Sequence, residues 1–405
     1  MTTTKNNEHK KLNVPNLRFP EFQGEWEMFK LEDVMNFSTT RVSSSELNED
    51  NYVSTENMLQ DFQGIVEAKS VPEDMNVISF SCGDILISNI RPYLKKVWRA
   101  TYNGGCSSDV FVLQANDNIE SDYLHYVVAN DKFINFVMSG AKGVKMPRGD
   151  KSQMKTYSLS LPQLQEQHKI ARLLSLLDER IATQNKIIDK LQSLIKGLED
   201  NLLDNPLWEK TYLRSFMQFF STNSLSWEQL SYEEGEIRNL HYGLIHGFQT
   251  RGINSASLPM IKNKAVPKQY TLCQVGDVAF ADASEDTGEI AKSVEFFDTI
   301  EGETICGLHT IHGRDIKNKT VVGFKGFAFN SRYFHNQIKR LAQGTKVFSI
   351  TSNNLSSCYV YLPDLETQNA IVKLLKAYEA QLLVSRKTLT QYENQKQYLL
   401  RQMFI

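Results

Sequence analysis

The sequence of 405 residues lacks several features that would define whole classes of protein. It contains no apolar run of 18 residues, so no membrane-spanning helix is expected. Its N-terminus lacks the apolar stretch of a signal peptide, and residues 1–14 are predicted to form a flexible tail. Its five cysteines are scattered and never form Cys-x-x-Cys. Such thiols favour a reducing, cytoplasmic location over a disulfide framework.

An excess of basic charge is also missing. The 45 Lys and Arg residues face 47 Asp and Glu residues, which gives a net charge of −2. Dedicated nucleic-acid binders are often basic overall, so any contact with DNA would have to depend on local patches. The hydrophobic fraction of 41% is ordinary for a globular protein, and the length suggests more than one domain.

No catalytic constellation is found. Gly302–Gly307 has the glycine spacing of a phosphate-binding loop, but Leu308–His309 follows it instead of Lys-Ser/Thr. Asn205–Trp208 only faintly resembles the Asn-Pro-Pro-aromatic motif of amino-methyltransferases, and no glycine-rich cofactor loop accompanies it. We therefore predict that this chain contains no catalytic residue and binds no cofactor of its own. A solitary nuclease or methyltransferase is the alternative that these absences argue against.

The second half of the sequence repeats the first. Four motifs recur in the same order: Trp26–Leu31 with Trp208–Leu213, Gly83–Asp84 with Gly276–Asp277, Gly143–Lys145 with Gly344–Lys346, and Leu161–Gln167 with Leu362–Gln368. The offset is 182 at the start (213 − 31) and 201 at the end (363 − 162). The change in offset indicates small insertions or deletions within the repeat. The two related domains are predicted at residues 15–162 and 206–363.

Each domain has the pattern of a mixed α/β fold. Short apolar runs bounded by Gly, Asn, Asp and Ser predict strands at Val77–Phe80, Ile85–Ile87 and Val110–Leu113. A helix is predicted near Ser121–Met138, where apolar residues recur at helical intervals.

Long helices are predicted to follow each domain, at residues 163–205 and 364–405. Their apolar positions alternate in steps of four and three, the seam of a coiled coil. The first seam consists of Ile170, Leu174, Leu177, Ile181, Gln184, Ile188, Leu191, Ile195, Leu198 and Leu202. The second consists of Ile371, Leu375, Tyr378, Leu382, Ser385, Leu389, Tyr392, Lys396, Leu399 and Met403.

These two seams most simply pair with each other. About 39 helical residues reach about 58 Å, so an antiparallel pair would separate the domains. In the alternative, each helix packs on its own domain as an ordinary amphipathic helix.

A zinc site was considered at Cys306, His309 and His312, which are spaced three residues apart. The repeat counterpart, Cys106–Asp109, reads Cys-Ser-Ser-Asp and could not form the same site. A packed strand and turn is therefore the favoured interpretation, and no metal is predicted.

Local basic patches are the main indication of DNA binding. Acid-poor or basic stretches occur at Ile85–Ala100, Ser139–Lys155, Pro259–Tyr270 and Asn330–Ile350. A Gly-x-Lys turn in such a patch lets backbone N–H groups and an ammonium approach one phosphate. An ordinary solvated surface is the alternative for any single lysine. The predicted DNA contacts are Arg91, Lys95, Lys142, Gly143, Lys145, Arg148, Lys262, Lys264, Arg332, Gly344 and Lys346.

These residues together resemble a known family, the specificity subunits of type I restriction-modification systems. The resemblance covers nearly the whole chain. It is carried by Pro15–Phe22 followed by Trp26, by the Gly-Asp pairs, and by the helix entries Leu161–Ala171 and Leu362–Ile371. The Gly-x-Lys turns and Ser88–Arg91 match the family's DNA-facing loops, whereas Ala281–Glu285 in the second half is acidic.

The resemblance implies that each domain reads one half of a split double-stranded DNA target and that the helices set the unread spacer. It also implies that the helices dock two methyltransferase subunits, which use S-adenosylmethionine. Motor-nuclease restriction subunits would bring ATP, magnesium and cleavage, so this subunit would itself catalyse nothing. A coiled-coil scaffold that binds only proteins is the competing function.

Overall fold

The computed structural model of the chain describes residues 13–248, 250–297, 300 and 302–405. The predicted tail, residues 1–14, lies outside these ranges except for its last two residues. The chain forms two compact units. The first extends to Thr183 and includes Leu389–Ile405, and the second is Gln184–Thr388. We call their globular parts the first and second domains.

The first domain is built from short strands and helices. Its strands are β1 Glu27–Lys30, β2 Met35–Phe37, β3 Arg41–Ser43, β4 Tyr52–Val53, β5 Asn76–Phe80, β6 Ile85–Ser88, β7 Val97–Arg99, β8 Gly104–Cys106, β9 Val110–Ala115 and β10 Ser158–Leu161. Its helices are α1 Leu31–Val34, α2 Ser121–Val128, α3 Asp131–Ser139 and α4 Lys151–Lys155. The three predicted apolar runs all fall in strands, namely β5, β6 and β9.

The long helix α5 Leu164–Leu203 follows the first domain, and α10 Leu365–Met403 follows the second. The strands between them are β11 Glu209–Tyr212, β12 Met217–Phe220, β13 Leu230–Ser231, β14 Arg238–Leu240, β15 Met260–Ile261, β16 Val278–Ala281, β17 Ala283–Ser284, β18 Ser293–Glu295, β19 Thr304–Cys306, β20 Thr310–Asp315, β21 Phe348–Ser349 and β22 Tyr359–Leu362. The short helices are α6 Tyr242–Gly247, α7 Phe324–Ala328, α8 Arg332–Leu341 and α9 Ser352–Ser357.

The sheet order repeats along with the sequence. Antiparallel sheets β2-β9-β6-β7 and β12-β20-β16-β18 correspond strand for strand, as do the ribbons β1-β10 and β11-β22. A further sheet in each domain, β3-β5-β8-β4 and β13-β15-β14-β19, contains one parallel pair. The predicted α/β class, with two related domains and a long helix between them in the chain, is confirmed.

The segment predicted to be helical near Ser121–Met138 is helical, but it forms two helices, α2 and α3, instead of one. It breaks at Ala129–Asn130, where the Asn130 side chain accepts a hydrogen bond from the Lys132 N–H and begins α3 as an N-cap. The second domain breaks at the corresponding place, where Ser331 caps α8. The periodicity detected the apolar face but not the cap that divides it.

Both ends of the helix pair are antiparallel within their own unit. In the first unit, Leu174 and Leu177 of α5 share a core with Leu399 and Met403 of α10. In the second unit, the end of α5 joins the beginning of α10 in one apolar core, through Leu198, Leu202, Ile371 and Leu375. The seam residues Gln184 and Ser385 meet through a hydrogen bond of 3.1 Å from the glutamine amide to the serine carbonyl.

Each long helix is anchored to its domain by a buried glutamine. The Gln167 amide donates to the carbonyls of Asn118 and Pro162, and its oxygen accepts the Glu120 N–H. Gln368 makes the same set of bonds, to Lys319, Pro363 and Val321. A buried amide with all these partners fixes the direction of the helix start, since any other orientation would leave polar groups unpaired.

Candidate nucleic-acid interface

Two loops of the first domain that were predicted independently to face DNA lie hydrogen-bonded side by side. The Arg91 N–H donates to the Pro147 carbonyl at 2.7 Å, and the Gly149 N–H donates to the Asn89 carbonyl at 2.8 Å. Lys142 and Arg148 exchange two backbone hydrogen bonds of 3.1 and 2.9 Å. Residues 142–148 therefore form a closed hairpin, the first hairpin, which is held against the segment that follows β6.

The second domain repeats this arrangement. Strand β17 after β16 pairs with β21, in the register Ala283 to Ser349 and Ser284 to Phe348. Gln343 and Ser349 exchange backbone hydrogen bonds of 3.0 and 2.8 Å. We call residues 343–349 the second hairpin.

The glycine of each Gly-x-Lys motif is required by the backbone. Gly143 has φ of +97° and Gly344 has φ of +128°, in the left-handed region that side chains disfavour. A Cβ at Gly143 would lie 3.1 Å from the Met146 carbonyl oxygen, and one at Gly344 would collide with the Val347 carbonyl oxygen. Glycine thus permits the tight turn that exposes Lys145 and Lys346.

Apolar residues at the hairpin tips were missed by reasoning that considered only charge. Val144 is fully exposed, and Met146 and Val347 are about half exposed at 46% and 51%. The sequence pattern that could have indicated them is an apolar residue next to a Gly-x-Lys turn, where no core residue is expected. Exposed methyl groups of this kind suit contacts with base edges better than contacts with phosphate.

Several of the predicted basic residues of the first domain already have acidic partners. Lys142 pairs with Asp150 at 3.1 Å and Arg148 with Asp109 at 2.8 Å. Lys95 likewise lies 2.9 Å from Asp131. The hydrogen bond from the Lys142 ammonium holds the pKa of the Asp150 carboxyl below its usual value. Ion pairs on this surface fix side-chain positions, at little energetic gain.

Arg91 and Lys145 differ from these residues. Both are exposed, and neither has an ion pair within the described ranges of the chain. Arg91 takes a left-handed backbone conformation with φ of +50°, beside the first hairpin. These two cations are therefore available to an anionic ligand.

The basic residues predicted in the second domain do not form one patch. Lys262 donates to the Glu228 carbonyl at 2.8 Å, and Lys264 lies in the 3-10 turn just after β15, on the other sheet from β16. Arg332 begins α8 and lines a cleft of about 760 Å³ with His246, Lys292 and Lys339. None of these three predicted residues is hydrogen-bonded to the second hairpin in the part of the chain that the structure describes.

The same cleft contains one acid from each long helix, a buried one from α5 and a half-buried one from α10. Arg251 lies 3.6 Å from Glu199 of α5, and its backbone N–H donates to Glu379 of α10 at 3.2 Å. Burial raises the pKa of Glu379 to about 7 despite the nearby Arg251. Burial also raises the pKa of Glu199. A cleft of mixed charge is a weaker candidate for DNA contact than the hairpins.

The three residues considered for zinc are not brought together as the spacing suggested. His309 is half exposed and lies 3.1 Å from Asp282. Cys306 and His312 instead meet Cys273, and the ligand atoms of these three residues lie within 4.8 Å of one another. Cys273 precedes Cys306 by 33 residues and belongs to no local motif, so no sequence pattern indicated it.

No helix in the described ranges is long and apolar enough to span a membrane.

The structure contains two related α/β domains, each followed by a long helix. The family described as the type I restriction modification DNA specificity domain matches residues 23–193 and 299–393. The chain belongs to this family and is a type I restriction-modification specificity subunit.

Known relatives agree with this assignment. The chain is 26% identical over 312 residues to the type I restriction enzyme MjaVIII specificity subunit of Methanocaldococcus jannaschii, covering 72% of each chain. It is 27% identical over 124 residues to the EcoDI specificity subunit of Escherichia coli, covering 31% of this chain and 28% of that one. A solved specificity subunit from M. genitalium has the same fold, with a TM-score of 0.63, 17% identity, and coverage of 97% of this chain and 99% of that one.

Proposed function

We propose that this subunit reads a split double-stranded DNA target, one half with each domain, through the two hairpins. The observation that supports this most strongly is the repetition of one unusual local structure. In both domains a Gly-x-Lys hairpin is hydrogen-bonded to the segment that follows the Gly-Asp strand, β6 or β16. A merely solvated turn has no reason to keep both the left-handed glycine and the exposed lysine in both copies.

Within each hairpin the chemistry divides between affinity and specificity. Lys145 and Lys346 supply an ammonium that neutralises a phosphate, a contact that carries no sequence information. The exposed side chains of Val144, Met146 and Val347 are suited to apolar contact with a thymine methyl group. The bases chosen by each domain therefore depend on the hairpin tips and on the side chains beside them.

The long helices act in this proposal as spacer and as docking surface. Their seam residues are buried or half-buried between the helices, so partners must use the outer faces. Ile187 and Leu194 of α5, and Leu383 and Val384 of α10, are large apolar side chains left exposed at 39–64%. Such side chains suit the docking of two methyltransferase subunits. Restriction subunits then complete the complex, and S-adenosylmethionine, ATP and magnesium act in those partners.

Charge reversal of the hairpin lysines tests the proposal. Lys145→Glu and Lys346→Glu should each weaken binding to any duplex roughly tenfold at low salt, and should lower the salt dependence by about one phosphate contact. The matched controls are Lys69→Glu and Lys317→Glu, which change exposed lysines of the same domains outside the hairpins. Binding is measured by fluorescence anisotropy on random duplex DNA across a salt series, with circular dichroism to confirm folding.

Wild-type affinity in both hairpin variants would contradict the role of the hairpins. A chain that binds no duplex at any salt, while it still binds its protein partners, would instead favour the coiled-coil scaffold.

A further inference from the structure

The second domain contains a buried cluster of two thiols and one imidazole that DNA recognition does not use. The sulfur atoms of Cys273 and Cys306 lie 3.6 Å apart, and a ring nitrogen of His312 completes a group within 4.8 Å. The three residues are exposed by only 7%, 3% and 1%. They meet where Cys273 lies beside Thr304 of β19 and where His312 of β20 pairs with Ala279 of the neighbouring strand β16.

One ring nitrogen of the His312 imidazole contacts a carboxylate. Nε2 of His312 lies 2.7 Å from Oδ2 of Asp277, and Arg314 contacts both carboxylate oxygens of Asp277 at 2.7–2.8 Å. Because Nε2 is engaged, Nδ1 is the nitrogen left to ligate. Ligating histidines in metal sites commonly donate their other N–H to a carboxylate, which fixes the ring and raises its basicity.

The repeated first domain shows that the fold does not require these groups. By strand register, Leu272 faces Ile305 as Ser79 faces Gly105, and His312 faces Ala279 as Val112 faces Leu86. The counterparts of the three second-domain residues are therefore Phe80, Cys106 and Val112. All three lie in one apolar core cluster. Two positions that hold apolar core residues in the first domain, Phe80 and Val112, hold a thiol and an imidazole in the second domain, Cys273 and His312.

The donor set and its spacing select the ligand. Thiolate and imidazole are the ligands that zinc prefers in structural sites, and two sulfurs 2.3 Å from a tetrahedral ion lie about 3.8 Å apart. The observed separation of the two sulfurs is close to this value. A zinc ion with three protein ligands leaves a fourth position for a water. The Thr304 hydroxyl, two residues before Cys306, is buried and has no hydrogen-bond partner among the described residues. Alternate residues of a strand share one face, so this hydroxyl lies on the Cys306 side of β19.

We propose that Cys273, Cys306 and His312 bind a zinc ion in the second domain, with Asp277 orienting the histidine. The ion connects β19 and β20 to the segment before β16, and so stabilises the second domain. This proposal stands independently of DNA recognition. It replaces His309 of the sequence-based candidate with Cys273.

The first test is the metal content of the full-length protein purified without chelator. About one equivalent of zinc per chain is expected, and it should be lost from Cys273→Ser and Cys306→Ser. Cys106→Ser is the matched control, because it changes the buried counterpart thiol of the first domain. A zinc-free wild-type protein that takes up no added zinc would overturn the proposal, and so would retention of zinc by both second-domain variants.

A second measurement does not depend on folding of the variants. Cobalt added to the metal-free wild-type protein should produce the intense near-ultraviolet absorption of thiolate ligation, and zinc should displace it. Thiol titration of the denatured, unreduced protein distinguishes zinc binding from a disulfide. All five cysteines are free in the structure, so five reactive thiols are expected. A count lower by two would indicate a Cys273–Cys306 disulfide and would refute the zinc site.

Discussion

The first and second domains share their strand order but differ in the charged pair that joins a strand to the helix packed beside it. In the first domain, Arg99 at the end of β7 pairs with Asp122 of α2, and both side chains are about a third to a half exposed. In the second, Glu295 at the end of β18 pairs with Lys325 of α7, and both are almost completely buried. The acidic partner lies on the helix in the first domain and on the strand in the second.

This difference shows which features specify the fold. The repeated features are the apolar strands, the left-handed glycines and the helix-anchoring pair Gln167 and Gln368. Each of these satisfies a backbone or burial requirement that has few solutions. A pair of opposite charges can be satisfied whichever element carries the acid. The charged residues therefore differ between the two domains.

The largest expected effect concerns the two ion pairs. Lys325→Met should destabilise the protein by about 3–5 kcal/mol, because it leaves the Glu295 charge buried without its cation. Arg99→Met should cost about 1 kcal/mol or less, since its partner remains solvated. Urea denaturation of the full chain measures both. The double change Lys325→Met with Glu295→Gln removes the charge, and failure to recover part of the loss would show that the unpaired carboxylate is not its cause.

The two hairpins should differ in their tolerance of a methyl group. Gly143→Ala and Gly344→Ala each introduce a side chain into left-handed backbone, at roughly 1–2 kcal/mol of strain. Only in the second hairpin does the new Cβ collide with a carbonyl oxygen. Gly344→Ala should therefore weaken binding to random duplex DNA several-fold more than Gly143→Ala does. Equal losses in the anisotropy titration would show that the tighter turn of the second hairpin has no consequence.

The smallest expected effect concerns two carboxylates of the long helices, Asp178 of α5 in the first unit and Glu379 of α10 in the second. Asp178 of the first unit has a close cation, with Lys396 at 2.6 Å. In the second unit burial raises the pKa of Glu379 to about 7, from its usual value of 4.5. A raised carboxyl pKa gives stability that is complete below pH 4.5 and is lost as the pH rises through 7.

Glu379→Gln should remove this pH dependence. The variant should match the wild type near pH 5, where the native Glu379 is protonated, and should melt at a higher temperature than the wild type near pH 8. Thermal denaturation at the two pH values measures the difference. A variant that melts lower than the wild type at the higher pH would mean that the ionised carboxylate is stabilising, in contact with Arg251.

Local patterns in the sequence predicted the elements but not the contacts between them. The repeat, the long helices and the Gly-x-Lys turns follow from periodicity and from glycine chemistry. That residues 88–91 and the first hairpin are hydrogen-bonded depends on strand pairing across more than 50 positions, which no local pattern encodes. The spacing of residues along the sequence also did not predict the acidic partners of Lys142 and Arg148. The meeting of Cys273 with Cys306 and His312 depends likewise on tertiary folding.

Sequencing of methylated sites in cells that express this subunit with its partner subunits tests whether each domain reads one half-site. For the wild type we expect a motif of two short halves around an unread spacer. Met146→Gln should alter bases in one half only, and Val347→Gln should alter bases in the other half only. An undivided motif, or either variant changing both halves, would contradict the reading of one half-site by each domain.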